Sequence, residues 1–224
     1  VFDILPHTTE YVITMPMYAV EEYLNSYVSY LEAVKKINDY TYLNAVAGKR
    51  IGQTITPREW FENLEVQELA VASIPHDKGG EKVVLLKLKD ASKMKLYKGY
   101  LPTLLGELFS PTFDEAFCTI NDWIVVGSKS LVEKLAGQVA NELFFSLKMY
   151  LNQTLAASVT KNDVSVLGLV NMSRCTDTLR HIVKNEYSTH LVKGIKDFNF
   201  NFLTFNVTNE GGRLKPAFAW YFEN

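Results

Sequence analysis

The sequence predicts an α+β fold, in which packed helices accompany a largely antiparallel sheet. Strand-like segments occur in pairs separated by Gly-rich clusters at residues 77–80 and 209–212, which is typical of antiparallel hairpins. Segments with apolar residues at helical spacing lie between the pairs. Hydrophobic residues make up 47% and charged residues 21% of the 224 residues, a composition that excludes disordered and collagen-like proteins.

The first elements are a strand over residues 11–15, closed by Pro16, and an amphipathic helix over residues 19–37. The apolar residues of this helix recur every three or four positions, so that they share one face. That face consists of Val20, Leu24, Tyr27, Val28, Leu31 and Val34.

A second helix begins at Thr56, because Thr56 can cap it, Pro57 suits the first helical position and Glu59 completes a capping box. Residues 66–74 and 82–88 follow as two strand-like runs. The Gly-rich cluster between them predicts a hairpin.

The middle of the chain predicts a helix over residues 92–109, which Pro102 bends or divides. Residues 113–120 and 123–126 form another hairpin, whose turn is Asn121-Asp122.

The second half of the chain begins with a helix over residues 130–140, opened by a capping box between Ser130 and Glu133. Helical sequence resumes over residues 141–155. These two segments join the middle hairpin to the last part of the chain.

The last part of the chain predicts a strand over residues 164–170, a helix capped by Ser173, and two strands over residues 198–207 and 214–222. The order strand, helix, hairpin also occurs near the start of the chain. It predicts, as one arrangement, two related β-α-ββ units.

The length allows a single α+β domain over residues 1–224 or two tightly packed subdomains, about 1–128 and 129–224. With 23 Lys and Arg against 25 Asp and Glu, the net charge of −2 argues against nucleic acid or an anionic membrane as the main partner. No apolar run is long enough for a transmembrane segment.

The His and Cys residues do not have the spacing of a metal site. His181 and His190 are nine positions apart, which places them on opposite faces of a continuous helix, while His7 and His76 are isolated. We therefore assign no metal ligand and no cofactor. The two cysteines, Cys118 and Cys175, are interpreted as structural thiols.

Three patterns resemble catalytic or phosphate-binding motifs without completing them. Residues 127–130 follow a strand and open a helix, but the Gly spacing of a phosphate loop is absent. Residues 92–95 fit the Ser-x-x-Lys string, but its companion motifs are missing. The paired carboxylates are neighbours in sequence and do not face each other across a cleft; they are Glu21 and Glu22, Glu65 and Glu68, and Asp114 and Glu115. No catalytic residue is assigned.

Tyrosines concentrate at the start of the chain, where seven of the twelve fall within the first 42 residues. Tyr23 and Tyr30 lie at the margin of the apolar helix face, where a ring can pack while its hydroxyl stays in water. This placement favours the edge of a core, with a binding surface for protein or glycan as the alternative.

Several segments together resemble a group of bacterial proteins. These segments are TPREWFENL over residues 56–64, ELA over residues 68–70, INDWIVVGS over residues 120–128 and SVLGLVNMSR over residues 165–174. They are similar to the large cell-envelope proteins and predicted lipoproteins of Bacteroidetes-type bacteria. The resemblance implies export to the periplasm or cell envelope, with an anchoring region upstream of Val1; it implies no active-site residues.

The sequence therefore favours a non-enzymatic cell-envelope domain that acts as an interaction module or scaffold. Its partner is expected to be another envelope protein or a glycan. One alternative is a small-ligand or glycan-binding module that uses exposed tyrosines or Trp60 for stacking. The other is a hydrolase whose site is assembled from both halves, with Cys175 and His190 as its test residues.

Overall fold

The computed structural model describes residues 1–38, 41, 62–76, 79–96, 116–154, 164–174, 193–194, 197, 200–210 and 213–222. The strands are β1 Tyr11–Pro16, β2 Val66–His76, β3 Gly79–Leu88, β4 Ala116–Ile120, β5 Trp123–Gly127, β6 Val164–Asn171, β7 Phe200–Glu210 and β8 Arg213–Phe222. The helices are α1 Met17–Ala33, α2 Lys129–Val139 and α3 Leu147–Thr154, with a 3₁₀ helix over Ala91–Leu96.

The predicted α+β fold with packed helices is wrong, because the described chain is mainly β. Its eight strands form one sheet in the order β4-β5-β3-β2-β1-β6-β7-β8. Helices in the described residues are few and short. The sequence predicts a turn at residues 77–80 and a strand over residues 82–88. In the structure Gly79 and Gly80 belong to β3, so this strand is longer than its apolar run.

The chain divides into two compact units. Unit 1 contains residues 1–15, 70–83 and 137–224, and unit 2 contains residues 16–69 and 84–136. Each unit therefore draws on segments that are distant in the sequence.

Unit 1 is built on antiparallel pairs between β1 and β6, β6 and β7, and β7 and β8. The N-terminal segment before β1 is also part of its core, since Ile4 and Leu5 are buried. The Leu147 amide donates to the Leu5 carbonyl at 2.7 Å, which ties this segment to the start of α3. Tyr150 of α3 continues the contact by packing edge-on against buried Phe202, with 5.6 Å between ring centroids.

Unit 2 contains the β4–β5 hairpin, with β5 also paired antiparallel to β3. Its core is aliphatic, with Leu85, Leu86 and Ile124 fully buried. Asn121 has φ = 55°, in the left-handed region that Asn tolerates better than most residues. The hairpin predicted to turn at Asn121-Asp122 is therefore confirmed.

The first predicted helix ends four residues early, at Ala33. Lys35 has φ = 59°, and the Lys36 amide donates to the Leu31 carbonyl at 2.8 Å, which is the hydrogen-bond pattern of a Schellman cap. Gly is the usual residue at that position, so a Lys gave no stop signal. Because Val34 follows the last helical residue, it is exposed, although it was expected on the apolar face.

The start of α2 also differs from the prediction. The Leu131 amide donates to Ser128 Oγ at 3.4 Å, so the capping residue is Ser128 rather than Ser130. Similarly, α3 begins at Leu147 instead of residue 141, because Ser146 Oγ accepts from the Met149 amide at 3.2 Å. The helix starts predicted at Thr56 and Ser173 lie outside the described residues.

None of the helices in the described ranges has the length and hydrophobicity that crossing a membrane requires.

Candidate functional site

The Ser-x-x-Lys string is used for local structure in unit 2. Ser92 donates from both its hydroxyl and its amide to the Asp90 carboxylate, each at 2.8 Å. These two hydrogen bonds hold the pKa of Asp90 below its ordinary value. Lys93 forms an ion pair with Glu65. The string therefore lies within the 3₁₀ helix, and its Ser is held by the Asp90 carboxylate. The lysine that pairs with Glu65 is Lys93, at a free position of the string, and not Lys95, which is the Lys of the string.

The phosphate-loop-like residues 127–130 have a similar structural role. Ser128 caps α2, and its Oγ lies 3.4 Å from that of Ser130. Lys129 projects from an exposed position and lies 4.0 Å from the Glu133 carboxylate. Ser128, Ser130 and Glu133 thus make contacts within the first turns of α2.

The described histidines and carboxylates do not converge. His7 Nδ1 lies 3.3 Å from the Phe145 carbonyl oxygen, and its ring packs between Phe145 and Tyr150. Within the ranges that the structure describes, no group of three or more His, Cys, Asp or Glu could hold a metal ion. The remaining sequence candidates lie outside the residues and side chains that the structure describes; these are Glu21, Trp60, Asp114, Glu115, Cys175, His181 and His190.

Cys118 is a free thiol in β4, half-buried, with its Sγ 3.9 Å from the Val132 carbonyl oxygen. Burial raises the pKa of this thiol, because the charged thiolate is disfavoured away from water. The reactive form is the thiolate, so the environment of Cys118 suppresses its reactivity.

We expect Cys118 in a Cys175→Ser background to be alkylated by iodoacetamide several-fold more slowly than an exposed thiol at pH 8. The matched control combines Cys118→Ser, Thr119→Cys and Cys175→Ser, which moves the only thiol to the exposed neighbouring position of β4. The pH at which the rate reaches half its maximum should be higher for Cys118. Equal rates and equal midpoints for the two thiols would contradict the effect of burial.

A buried polar contact in unit 1 was missed in the sequence. Glu10, just before β1, is 4% exposed, and Ser73 of β2 is 2% exposed. The Ser73 hydroxyl donates to Glu10 Oε2 at 2.6 Å. A Cβ on Gly80 would approach both groups closer than 3.0 Å. Because solvent does not reach this pair, a hydrolytic role for Ser73 is not supported, and the contact is structural.

Among the described residues of unit 1, one face of the β7–β8 hairpin carries three exposed large apolar side chains. Leu214 is 68% exposed, Phe218 is 65% exposed and Trp220 is 51% exposed. The register places these side chains on the same face as their cross-strand neighbours on β7. We define the hairpin face by eight residues: Leu203, Phe205, Val207, Asn209, Leu214, Pro216, Phe218 and Trp220.

The centre of the hairpin face is organised by Phe205. Its ring lies beside that of Phe218, with 6.3 Å between centroids. Phe205 also lies directly opposite Gly168 of β6, and a Cβ on Gly168 would approach the ring closer than 3.0 Å. Gly168 therefore provides the space that the ring occupies, much as aromatic side chains cover glycines in other sheets.

The edge of β8 is protected along its first half. The Lys215 carbonyl points toward β7, since it accepts a hydrogen bond from Thr208 Oγ1 at 3.5 Å. Successive residues direct their backbone groups to opposite sides of a strand, so Pro216 faces away from β7. A proline at that position presents no N–H to an added strand, and Arg213 and Lys215 add the charges that protect natural edges.

The tyrosine-rich start of the chain is only partly exposed. Tyr18 and Tyr30 are exposed on α1, and the rings of Tyr27 and Tyr30 lie 6.2 Å apart.

The sequence signal for the hairpin face is the alternation of Leu214, Pro216, Phe218 and Trp220 along one strand. The alternation predicts the strand but does not show which of its two faces is covered.

Comparisons with protein-family models, curated proteins and solved structures find no match to this sequence.

Proposed function

We propose that the protein is a non-enzymatic interaction domain and that the hairpin face is its binding surface. The observation that carries this proposal is the exposure of Leu214, Phe218 and Trp220 on one face of adjacent strands. Single exposed apolar side chains are normal on proteins, but contiguous ones mark contact sites. Trp and Phe are also among the residues that are enriched in protein interfaces.

The size of the patch is consistent with binding. From the area of large side chains, the exposed parts of these three residues amount to roughly 300–400 Å², which lies within the range of functional patches on monomers. Removing such a surface from water is favourable, and an exposed sheet face suits a macromolecule better than a small molecule, which binds in a concave site.

The chemistry of the hairpin face favours protein over glycan. Its residues are apolar except for Asn209 at one end, whereas sites for small ligands combine apolar walls with a few convergent polar groups. A glycan-binding module that uses tyrosines or Trp60 remains the alternative proposal. It would draw on the exposed rings of Tyr18 and Tyr30 on α1. The hydrolase alternative depends on Cys175 and His190 and stays a prediction.

We also propose a location in the periplasm or cell envelope. This proposal rests on the resemblance of residues 56–64, 120–128 and 165–174 to envelope proteins.

Photo-cross-linking in the cells that produce the protein tests the proposed function. A benzoylphenylalanine in place of Phe218 should give a discrete adduct, whose second component mass spectrometry identifies. The matched control replaces Leu143, an apolar residue that is 89% exposed and lies outside the sheet. It should give no such adduct.

The absence of an adduct at position 218, or the same adducts from both positions, would contradict the proposed function. The fold itself should tolerate the changes, because substitutions at exposed positions usually alter stability by less than about 0.5 kcal/mol. Thermal unfolding of both variants checks this.

A further inference from the structure

We infer that the hairpin face binds a second copy of this chain, so that two β7–β8 hairpins pack face to face about a two-fold axis. The inference rests on the proposed function and specifies its partner. Two observations support it: the protection of the β8 edge and the absence of charge from the hairpin face. The dimensions of that face determine how strong the contact is expected to be.

The protected edge favours contact through the face. If two copies joined edge to edge, Pro216 would leave a carbonyl of the other strand without a donor. Arg213 and Lys215 lie beside it on the same strand and oppose the addition of a strand there. Face-to-face packing requires no backbone hydrogen bonds between copies, so Pro216 is compatible with it and adds apolar surface.

The absence of charge suits contact between identical surfaces. In a two-fold interface the same patch occurs on both subunits, so a charged side chain near the axis meets its own copy. The hairpin face has no charged side chain, while Arg213 and Lys215 alternate with its residues and belong to the opposite face. Two copies can therefore approach without bringing like charges together.

The twist of the β7–β8 hairpin is compatible with face-to-face packing of two copies. Both copies carry the same twisted hairpin, and sheets of equal twist pack aligned, with their strands about 30° apart. The 10 residues of β8 span about 34 Å, and two strands are about 10 Å wide. The contact therefore removes roughly 700–1,000 Å² in total, which is less than the roughly 1,200–2,000 Å² of stable complexes. We expect a weak, concentration-dependent dimer.

Sedimentation velocity of the purified chain over about a hundred-fold concentration range tests the inference. The weight-average sedimentation coefficient should rise from that of a monomer toward that of a dimer. Phe218→Glu should weaken the dimer at least about tenfold, because two carboxylates would be forced together in an apolar contact. Ala217→Glu makes the same change of charge one residue away, on the opposite face of β8, and should leave the dissociation constant within about twofold.

The outcomes separate this inference from the proposed function. A chain that stays monomeric while position 218 cross-links to a different protein overturns the second copy as partner and leaves the proposed function intact. A monomer that gives no adduct overturns both. If Phe218→Glu and Ala217→Glu weaken the dimer equally, the face-to-face contact is overturned. It is also overturned if the chain does not dimerise and instead binds phosphatidylcholine vesicles in a way that depends on Phe218.

Discussion

Gly80→Ala should lower the free energy of unfolding by about 2–6 kcal/mol. The new methyl group would lie closer than 3.0 Å to the Glu10 carboxylate and the Ser73 hydroxyl. Overpacking in a core costs about 1–3 kcal/mol, and disturbing a buried polar contact costs about 1–3 kcal/mol more. Urea unfolding measured by far-UV circular dichroism gives the difference, provided that the m-value is unchanged.

Gly137→Ala provides the matched control for this substitution. Gly137 lies in α2, and no atom lies within 4 Å of the position that its Cβ would occupy. Because Ala is a better helix former than Gly, this variant should be more stable by roughly 0.5–1 kcal/mol. The same chemical change is thus expected to have opposite signs at the two sites.

A double-mutant cycle assigns the cost to Glu10. In a Glu10→Ala background the carboxylate is gone, so Gly80→Ala should destabilise the protein by at least about 1 kcal/mol less than it does in the wild type. If Gly80→Ala has the same effect in both backgrounds, the close approach of Glu10 to Gly80 is not what makes Gly80 necessary.

The strands of this protein could be predicted because their signal is local. Residues 66–74 and 82–88 combine β-branched residues with a Gly-rich turn, and the hairpin at Asn121-Asp122 follows from turn chemistry alone. The helix α1 was predicted to run too far, since Lys35 follows its end in a conformation that usually requires Gly. The helix α3 was predicted too long, whereas α2 has its predicted length and is shifted by one residue. The fold class was predicted wrongly for a different reason, because helical spacing in a sequence does not show whether the helices form a layer against the sheet.

Neither the buried Glu10–Ser73 contact nor the exposure of the hairpin face could be predicted, because both depend on how segments that are distant in sequence come together. Glu10 and Ser73 are 63 positions apart, and an isolated Glu before a strand gives no sign that it will be buried. The exposure of Phe218 depends on which side of the sheet remains uncovered, which the alternation along one strand cannot decide. Residue types can thus suggest a surface, whereas strand order and register are needed to locate it.

Gly168→Ala should destabilise the protein by about 1–3 kcal/mol and also weaken the inferred dimer. A methyl group on β6 would meet the Phe205 ring, which lies directly opposite in the register and packs beside Phe218. The ring would have to rotate toward Phe218, and overpacking of this kind costs about 1–3 kcal/mol. Thermal and urea unfolding measure the first effect, and sedimentation velocity measures the second.

Phe205→Leu separates these two effects, because a smaller side chain leaves room for the new methyl group. In the Phe205→Leu background, Gly168→Ala should cost at least about 1 kcal/mol less than in the wild type, since the two positions are in direct contact. If the cost is unchanged, then the strain lies in the β6 backbone rather than against the ring. A Gly168→Ala variant that loses stability but dimerises normally would show that the Phe205 ring does not shape the hairpin face.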